Sequence, residues 1–369
     1  MIPRISGILH GAPLANTPPC DGVQCDFSVF WPASLLARQG RFNILYDPTA
    51  FSLFRQHVLF AGEPRLDWIY PPPSLLPLLP FGYLPLGAAF LAWTALLIVL
   101  AILMLRFAGI SWLVVLISLL SPAALWDIEM GQWEIFCGAA LVSGLVLLSK
   151  RTLSGGLVLS LLLFKPQSAL LMPVALLAAR YWRAIAAGLV GSMLICAATT
   201  LLMGFSVWRA WLQVGLADAH QILILGHSIG LEESTSVFWA LRNAGAAVSA
   251  AFAGQALCAA LAVIIVWHAW NSSRFAQLDR IVLTVIGSTL VVPYLFIVDL
   301  IAFEIVLTLL AERRGWRANL FDIFLWLWPM FSPAIFIWKG WLLSPLVMLS
   351  ALLYFWLPGA FRFRRYSAA

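Results

Sequence analysis

The residue with the clearest chemical potential in this sequence is Asp26, a carboxylate directly followed by the aromatic stretch FSVFW. A carboxylate can act as a general base that takes a proton from a hydroxyl as that hydroxyl attacks an activated carbon. Apolar neighbours such as Phe27, Phe30 and Trp31 would raise its basicity, because they desolvate the charged form. The alternative is a helix cap, since a helix is predicted to follow Asp26 and to end at Gly40. The residues alone give the two interpretations equal weight.

The elements that must position Asp26 are membrane helices. Of the 369 residues, 62% are hydrophobic and only 10% are charged, and a soluble protein of this size could not cover so much apolar surface. A helix needs about 20 apolar residues to cross a bilayer, and lipid offers a free backbone group no partner. Uncharged runs of this kind cover residues 68–105, 107–126, 184–208, 243–273, 281–298 and 340–361. With the shorter runs, we expect an all-α polytopic integral membrane protein, a single domain of about ten membrane segments.

The distribution of charge predicts the orientation. With Leu84–Leu105 as the first clear helix and alternating sides, one side receives 13 of the 22 Lys and Arg residues and only three of the 16 acids. The positive-inside rule assigns this side to the cytoplasm, so the net charge of +6 indicates orientation rather than a nucleic-acid surface. Residues 1–73 are then an extracytoplasmic segment with Asp26, residues 74–358 a helical bundle and residues 359–369 a basic cytoplasmic tail. No hydrophobic helix precedes Asp26, so either this segment is exported unaided or a membrane helix lies upstream. We favour a missing N-terminal membrane helix, because the basic charge of the segment disfavours unaided export.

Two polar breaks within apolar runs are further candidates. Lys165 in FKPQSALLMP is followed by Pro166 and Gln167. Intramembrane charges are costly and usually functional, and a cation there suits a lipid-linked phosphate. A lysine that snorkels to the interface is the less favoured alternative, because Lys, Pro and Gln coincide. Asp299 follows Pro293 in VVPYLFIVDL, and a place in an acceptor cavity and a short outer turn have equal weight for it.

Four other acids and an amide lie in predicted outer segments. Asp47 precedes a proline, which favours a turn and a short helix, and we keep Asp47 as a weaker substrate contact. Asp127, Glu129 and Gln132 lie in DIEMGQWEIF, together with a further glutamate. Acids and an aromatic together could bind sugar hydroxyls, although a solvated acidic loop is the favoured interpretation.

Aromatic and basic residues complete the set of candidates. Trp68 and Tyr70 precede a segment that contains six prolines, which predicts a loop or a short helix, and we favour membrane-interface anchors for both. His220, His227 and Arg242 lie in a long outer loop and could contact phosphate or relay protons, although a structural role is favoured. Their spacing matches no established ligand motif, so the sequence gives only weak support for a metal site, and we expect no cofactor; whether the reaction needs a divalent metal stays open.

Several of these stretches, in this order, resemble glycosyltransferase family 87. They are DFSVFWPASLLARQGRFNILYDP, YPPPSLLPLLPFGYLP, GQWEIF, FKPQSALLMPVALLAARYWRA and VVPYLFIVDL, and they cover roughly residues 26–300. Each is weak alone, but their order and spacing are specific. The family consists of polytopic enzymes of the GT-C fold that use polyprenyl-phosphate sugars, with mannosyltransferases the best known. The resemblance therefore implies a GT-C-type bundle with short extracytoplasmic helices. Its members normally have a membrane helix before the aspartate, which this sequence lacks.

The resemblance implies roles for particular residues. Asp26 matches the catalytic aspartate of the first outer loop. Lys165 and Gln167 match a Lys-Pro-Gln element that we interpret as part of the lipid-phosphate cavity. Tyr70 matches the Tyr-Pro-Pro element, and Gln132 matches the Gly-Gln element.

Together these features predict a membrane glycosyltransferase. We expect it to move a hexose from a polyprenyl phosphate to a hydroxyl of a lipid or glycan acceptor, and mannose is the favoured hexose. The expected place is the extracytoplasmic face of a bacterial plasma membrane. Inversion follows from a single displacement in which Asp26 is the base and Lys165 stabilises the leaving phosphate. Membrane lipid is a further expected partner. The rival interpretation, a transporter or lipid flippase, would be expected to show repeated halves, and none is visible. The third interpretation is a membrane scaffold without catalytic activity.

Overall fold

The computed structural model describes residues 26–59, 66–225 and 231–357. Helices make up the regular structure of these residues, and their only β contact is an isolated bridge between Ser234 and Phe296. The expected all-α fold is confirmed.

Eighteen α-helices follow one another along the described chain. The first nine are α1 (Phe27–Arg38), α2 (Phe42–Tyr46), α3 (Pro48–Val58), α4 (Leu86–Phe107), α5 (Trp112–Leu119), α6 (Pro122–Met130), α7 (Glu134–Leu147), α8 (Thr152–Ser160) and α9 (Met172–Ala178). The others are α10 (Trp182–Met203), α11 (Phe205–Ala210), α12 (Leu216–Leu225), α13 (Val237–Asn243), α14 (Val248–Asn271), α15 (Gln277–Val291), α16 (Ile301–Arg313), α17 (Leu320–Lys339) and α18 (Ser344–Trp356).

Short 3₁₀ helices and one π-helix interrupt this series. The 3₁₀ helices are Pro72–Leu75, Leu79–Tyr83, Leu161–Phe164, Pro166–Ala169, Leu231–Glu233 and Ile297–Leu300, and the π-helix is Trp211–Gly215. Two of the 3₁₀ helices lie in the proline-rich segment, where a loop or a short helix was predicted.

Four helices, α4, α10, α14 and α17, are long and apolar enough to cross a membrane. The pair α5 and α6 is bent by 58° and provides a fifth candidate span. Helix α4 begins two residues after the predicted Leu84, because Pro85 provides the carbonyl that accepts the first helical hydrogen bond, from Ala89 N at 2.8 Å. These spans make the chain a polytopic membrane protein.

The chain divides into two compact units. The first consists of Met1–Val99, Asp127–Trp133 and Met193–Leu225, and the second of Leu100–Trp126, Glu134–Ser192 and Gly226–Ala369. Aromatic side chains around α1 form the core of the first unit. In the second unit, α15 packs against both α14 and α16.

Glycines allow close helix packing in the second unit. A Cβ atom at Gly138 of α7 would lie 3.0 Å from the backbone nitrogen of Ala302 in α16. A Cβ atom at Gly156 of α8 would overlap the backbone carbonyl of Ala184 in α10. Small residues are the usual means by which membrane helices approach closely, because helix association there depends on van der Waals contact.

The first prediction concerns this packing. Gly156→Ala should lower the free energy of unfolding by about 1–3 kcal/mol, because the added methyl group meets backbone that cannot move cheaply. Gly188→Ala is the matched control, since its Cβ would lie 3.4 Å from the Gly156 carbonyl oxygen, the nearest atom. Thermal unfolding of both purified variants, followed by tryptophan fluorescence, measures the difference. Equal unfolding temperatures would contradict the close α8–α10 contact.

Candidate functional site

Asp26 lies at the N-terminal end of α1. Helix α1 ends at Arg38, two residues before the predicted Gly40, and the Asp26 carbonyl accepts hydrogen bonds from Val29 N at 2.9 Å and Phe30 N at 3.3 Å. Within the described part of the chain, the Asp26 side chain makes no capping hydrogen bond to α1, and it is only partly buried. Asp26 thus occupies the cap position without using its carboxylate for capping.

A buried arginine repairs a break in α1. Pro32 lies inside the helix and has no N–H, so the carbonyl of Ser28 loses its helical partner. Arg55 of α3, which is 0% exposed, replaces that partner with its Nε, which donates to the Ser28 carbonyl at 3.0 Å. Its guanidinium also donates to Ser28 Oγ at 2.8 Å and to the Leu66 carbonyl at 3.4 Å. Arg55 therefore fixes the turn of α1 that follows Asp26.

Aromatic rings surround Phe30, one helical turn after Asp26. The Phe30 ring centroid lies 5.3 Å from that of Trp133 and 6.0 Å from that of Trp68. Tyr70 lies within 5.2 Å of both tryptophans by the same measure. Trp68 is only 2% exposed, so its predicted role as an interface anchor is wrong, and it belongs to this cluster instead.

Gly131 brings Gln132 to the aromatic cluster. Its φ of +73° favours glycine, and a Cβ atom there would lie 2.8 Å from both the Phe27 Cβ and the Phe90 ring. The adjacent Gln132 donates from Nε2 to the Tyr70 hydroxyl at 3.4 Å. The structure thus joins two of the predicted site residues, Tyr70 and Gln132, within the first unit.

The remaining acids of the first unit differ in their surroundings. Asp47 accepts a hydrogen bond from Ala50 N at 2.7 Å and caps α3, which begins at Pro48 as predicted. Asp127 is 1% exposed and Glu129 is partly buried, both on α6. The solvated loop favoured from the sequence is therefore wrong here, because these residues continue a packed helix.

In the second unit, Lys165 forms a buried ion cluster. It separates the 3₁₀ helices Leu161–Phe164 and Pro166–Ala169, so the predicted polar break is present. Its Nζ forms a salt bridge with Glu134 and donates to Asp299 Oδ1 at 2.7 Å. All three side chains are at most 5% exposed, which excludes a snorkelling lysine.

Asp299 connects this cluster to a second break in the backbone. Its other oxygen, Oδ2, accepts a hydrogen bond from Phe296 N at 2.8 Å and so starts the 3₁₀ helix Ile297–Leu300. A cavity of about 30 Å³ lies beside the cluster, and its lining includes Gln167, Ser168, Ser288 and Thr289. That volume suits one or two water molecules rather than a sugar.

Glu304 is a buried acid that was not among the candidates proposed from the sequence. It is 0% exposed and accepts hydrogen bonds from Ala123 N, at 3.1 Å to Oε2, and from the Ser121 hydroxyl. These contacts hold the bend between α5 and α6. An acidic residue within an apolar run of the sequence is the feature that could have predicted this buried group. The same feature could have identified Glu134.

The basic residues of the predicted outer loop do not form a described cluster. His220 is exposed on α12, and His227 lies outside the described residues. Arg242 donates to the Ala246 carbonyl at 2.7 Å and so closes the end of its own helix, α13. No group of three or more His, Cys, Asp or Glu side chains in the described ranges could hold a metal ion.

Comparison with known proteins identifies the family. The model of glycosyltransferase family 87 matches residues 68–293, which is more than half of the chain. The chain belongs to glycosyltransferase family 87. It is therefore a membrane glycosyltransferase, which requires a sugar donor and an acceptor. No curated protein and no solved structure matches this glycosyltransferase. Of the residues described above, Tyr70, Gln132 and Lys165 fall within the matched range, whereas Asp26 and Asp299 lie outside it.

The second prediction concerns the ion cluster. Lys165→Met should lower the free energy of unfolding by about 3–5 kcal/mol, because two buried carboxylates lose their common cation. Lys150→Met is the matched control, since Lys150 is exposed. Adding Glu134→Gln to Lys165→Met should recover part of the loss, because one buried charge is removed. Chemical unfolding of the four proteins in detergent measures these differences, and similar stability of both lysine variants would refute the buried cluster.

The third prediction concerns Arg55. Arg55→Met should lower the free energy of unfolding by about 3 kcal/mol, because the Ser28 carbonyl and hydroxyl lose a charged donor in a buried position. Arg41→Met serves as the control, since Arg41 is exposed. The same unfolding measurement applies. An Arg55 variant as stable as the control would mean that the freed carbonyl does not need this donor.

Proposed function

We propose that this glycosyltransferase moves a hexose from a polyprenyl-phosphate donor to a hydroxyl of a lipid or glycan acceptor, and that the hexose is mannose. The proposed place is the extracytoplasmic face of the plasma membrane, with the basic C-terminus in the cytoplasm. Membership of the family and the apolar spans support a donor whose lipid lies in the bilayer. The excess of Lys and Arg on one side of the predicted topology supports the orientation.

In the proposed reaction, Asp26 is the general base of a single displacement. The acceptor oxygen attacks the anomeric carbon, its proton passes to the Asp26 carboxylate, and the bond from carbon to phosphate oxygen breaks with inversion. Polyprenyl phosphate leaves with the bonding electrons. The observation that carries this proposal is that a partly buried carboxylate, unused for capping, stands at the head of a helix fixed by Arg55.

Stabilisation of the leaving phosphate is proposed for Lys165, with His220, His227 or Arg242 as further cations. Lys165 already contacts two carboxylates, so a phosphate would have to replace one of them.

The other site residues are proposed as substrate contacts through their hydrogen-bonding groups. They are Gln167, Tyr70, Gln132, Asp47, Glu129 and Asp299.

The fourth prediction tests the base. In membranes, Asp26→Asn should reduce the transfer of radiolabelled sugar from a polyprenyl-phosphate donor by about 10²–10⁴-fold, because the amide keeps the shape of the side chain but cannot accept the proton. Glu312→Gln, at the far end of α16, is the matched control and should transfer like the parent. Expression and unfolding temperature of each variant are measured alongside.

Two outcomes would contradict the proposal. Equal transfer by the parent and by Asp26→Asn would remove Asp26 as the base and direct attention to Asp47, Glu129 and Asp299. A parent without transfer from any of several polyprenyl-linked sugars would reject this donor class.

A further inference from the structure

A polar cleft of about 390 Å³ lies in the first unit, beside α2 and α11. Its lining includes the polar residues Asn43, Tyr46, Asp47, Ser206, Arg209 and Gln213. This volume falls within the range of small-molecule sites, and it is more than ten times that of the cavity beside Lys165. The cleft is therefore large enough for a sugar.

The walls of the cleft are held in place by packing. The π-helix Trp211–Gly215 forms part of one wall, and π-helices are frequent at functional sites. A Cβ atom at Gly215 would lie 2.8 Å from the Tyr46 ring, so the two walls touch there. The Tyr46 hydroxyl donates to the Tyr70 carbonyl at 3.0 Å, which links the opposite wall to the aromatic cluster.

The polar groups of the cleft retain hydrogen-bonding capacity. Asp47 uses Oδ1 to cap α3, and its Oδ2 accepts no hydrogen bond from any described residue. The guanidinium of Arg209 forms no ion pair or hydrogen bond within the described ranges, and the same holds for the side-chain amides of Asn43 and Gln213. The cleft thus contains a carboxylate that accepts hydrogen bonds, a guanidinium that donates them, and two side-chain amides that can donate and accept.

This combination selects the class of ligand. A free phosphate would pair with Arg209 but would also meet the Asp47 carboxylate, and an apolar chain would leave the charged and amide groups without partners. Neighbouring hydroxyls of a sugar can donate to Asp47 and accept from Arg209, because each hydroxyl is both donor and acceptor. We propose that the cleft binds the glycan part of the acceptor. The identification of this glycan as part of the acceptor rests on the proposed function, whereas the binding of a glycan does not.

The fifth prediction tests binding without transfer. The protein is placed in nanodiscs free of sugar detergents, and mannotriose or maltotriose is titrated by saturation-transfer-difference NMR. We expect the parent to bind at least one of them, and Asp47→Asn and Arg209→Gln to bind it about tenfold more weakly. Asparagine retains the cap of α3, so the first change removes only the charge. Arg313→Gln, an exposed position in the second unit, is the control and should bind like the parent.

A second arm distinguishes a glycolipid headgroup from a free glycan. Nanodiscs doped with a mannosyl diacylglycerol should weaken binding of the soluble trisaccharide if the cleft takes the headgroup from the same membrane. Unchanged binding would assign the cleft to free glycans. Absence of binding by the parent for both trisaccharides, or equal binding by all variants, would overturn the inference.

The outcome also separates this inference from the proposed function. Asp26→Asn should bind the trisaccharide like the parent while it fails to transfer. If transfer depends on Asp26 but the Asp47 and Arg209 variants bind and transfer normally, only the cleft inference fails. If those variants lose glycan binding while the parent transfers from no polyprenyl-linked sugar, only the proposed reaction fails.

Discussion

Where a helix breaks in an apolar interior, the released backbone groups need new partners, and this chain provides them with buried charged side chains. Arg55 donates a hydrogen bond to the Ser28 carbonyl, which has no helical partner because Pro32 lacks an N–H. The Glu304 carboxylate accepts a hydrogen bond from Ala123 N at the bend before α6. The Asp299 carboxylate accepts one from Phe296 N after the end of α15. A buried polar group without a partner costs on the order of a few kcal/mol, so these charged side chains stabilise the breaks in which they lie.

The same constraint brings polar chemistry into a membrane protein. A regular apolar helix offers a substrate no hydrogen bonds, whereas a broken one exposes backbone and carries the charged side chain that stabilises it. Asp26 stands at the head of the helix that Arg55 repairs, and Lys165 occupies a break of its own. A membrane glycosyltransferase needs polar sites within an apolar bundle, because sugars bind through hydrogen bonds.

Local signals in the sequence predicted local structure well. An uncharged run placed α4 to within two residues at each end, and Asp47-Pro48 marked the start of α3, because run length and capping depend on neighbouring residues. Distant contacts were not accessible in this way. Arg55 lies 27 positions from Ser28, and Glu304 lies 183 from Ser121. The partner of a freed backbone group can come from anywhere in the chain, and for the same reason Trp68 was wrongly assigned to the membrane interface.

The charge balance around Lys165 limits what this residue can do. One ammonium group faces two carboxylates in a setting that excludes most water, so the formal charge of the cluster is −1 when all three groups are ionised. A phosphate that approached this cluster would meet net repulsion. Displacement of Glu134 or Asp299 would bring the formal charge of the remaining pair to zero and make the ammonium group available. Any contribution of Lys165 to phosphate binding is therefore conditional on a change in its carboxylate partners, whereas its role in holding the two breaks together needs no such change.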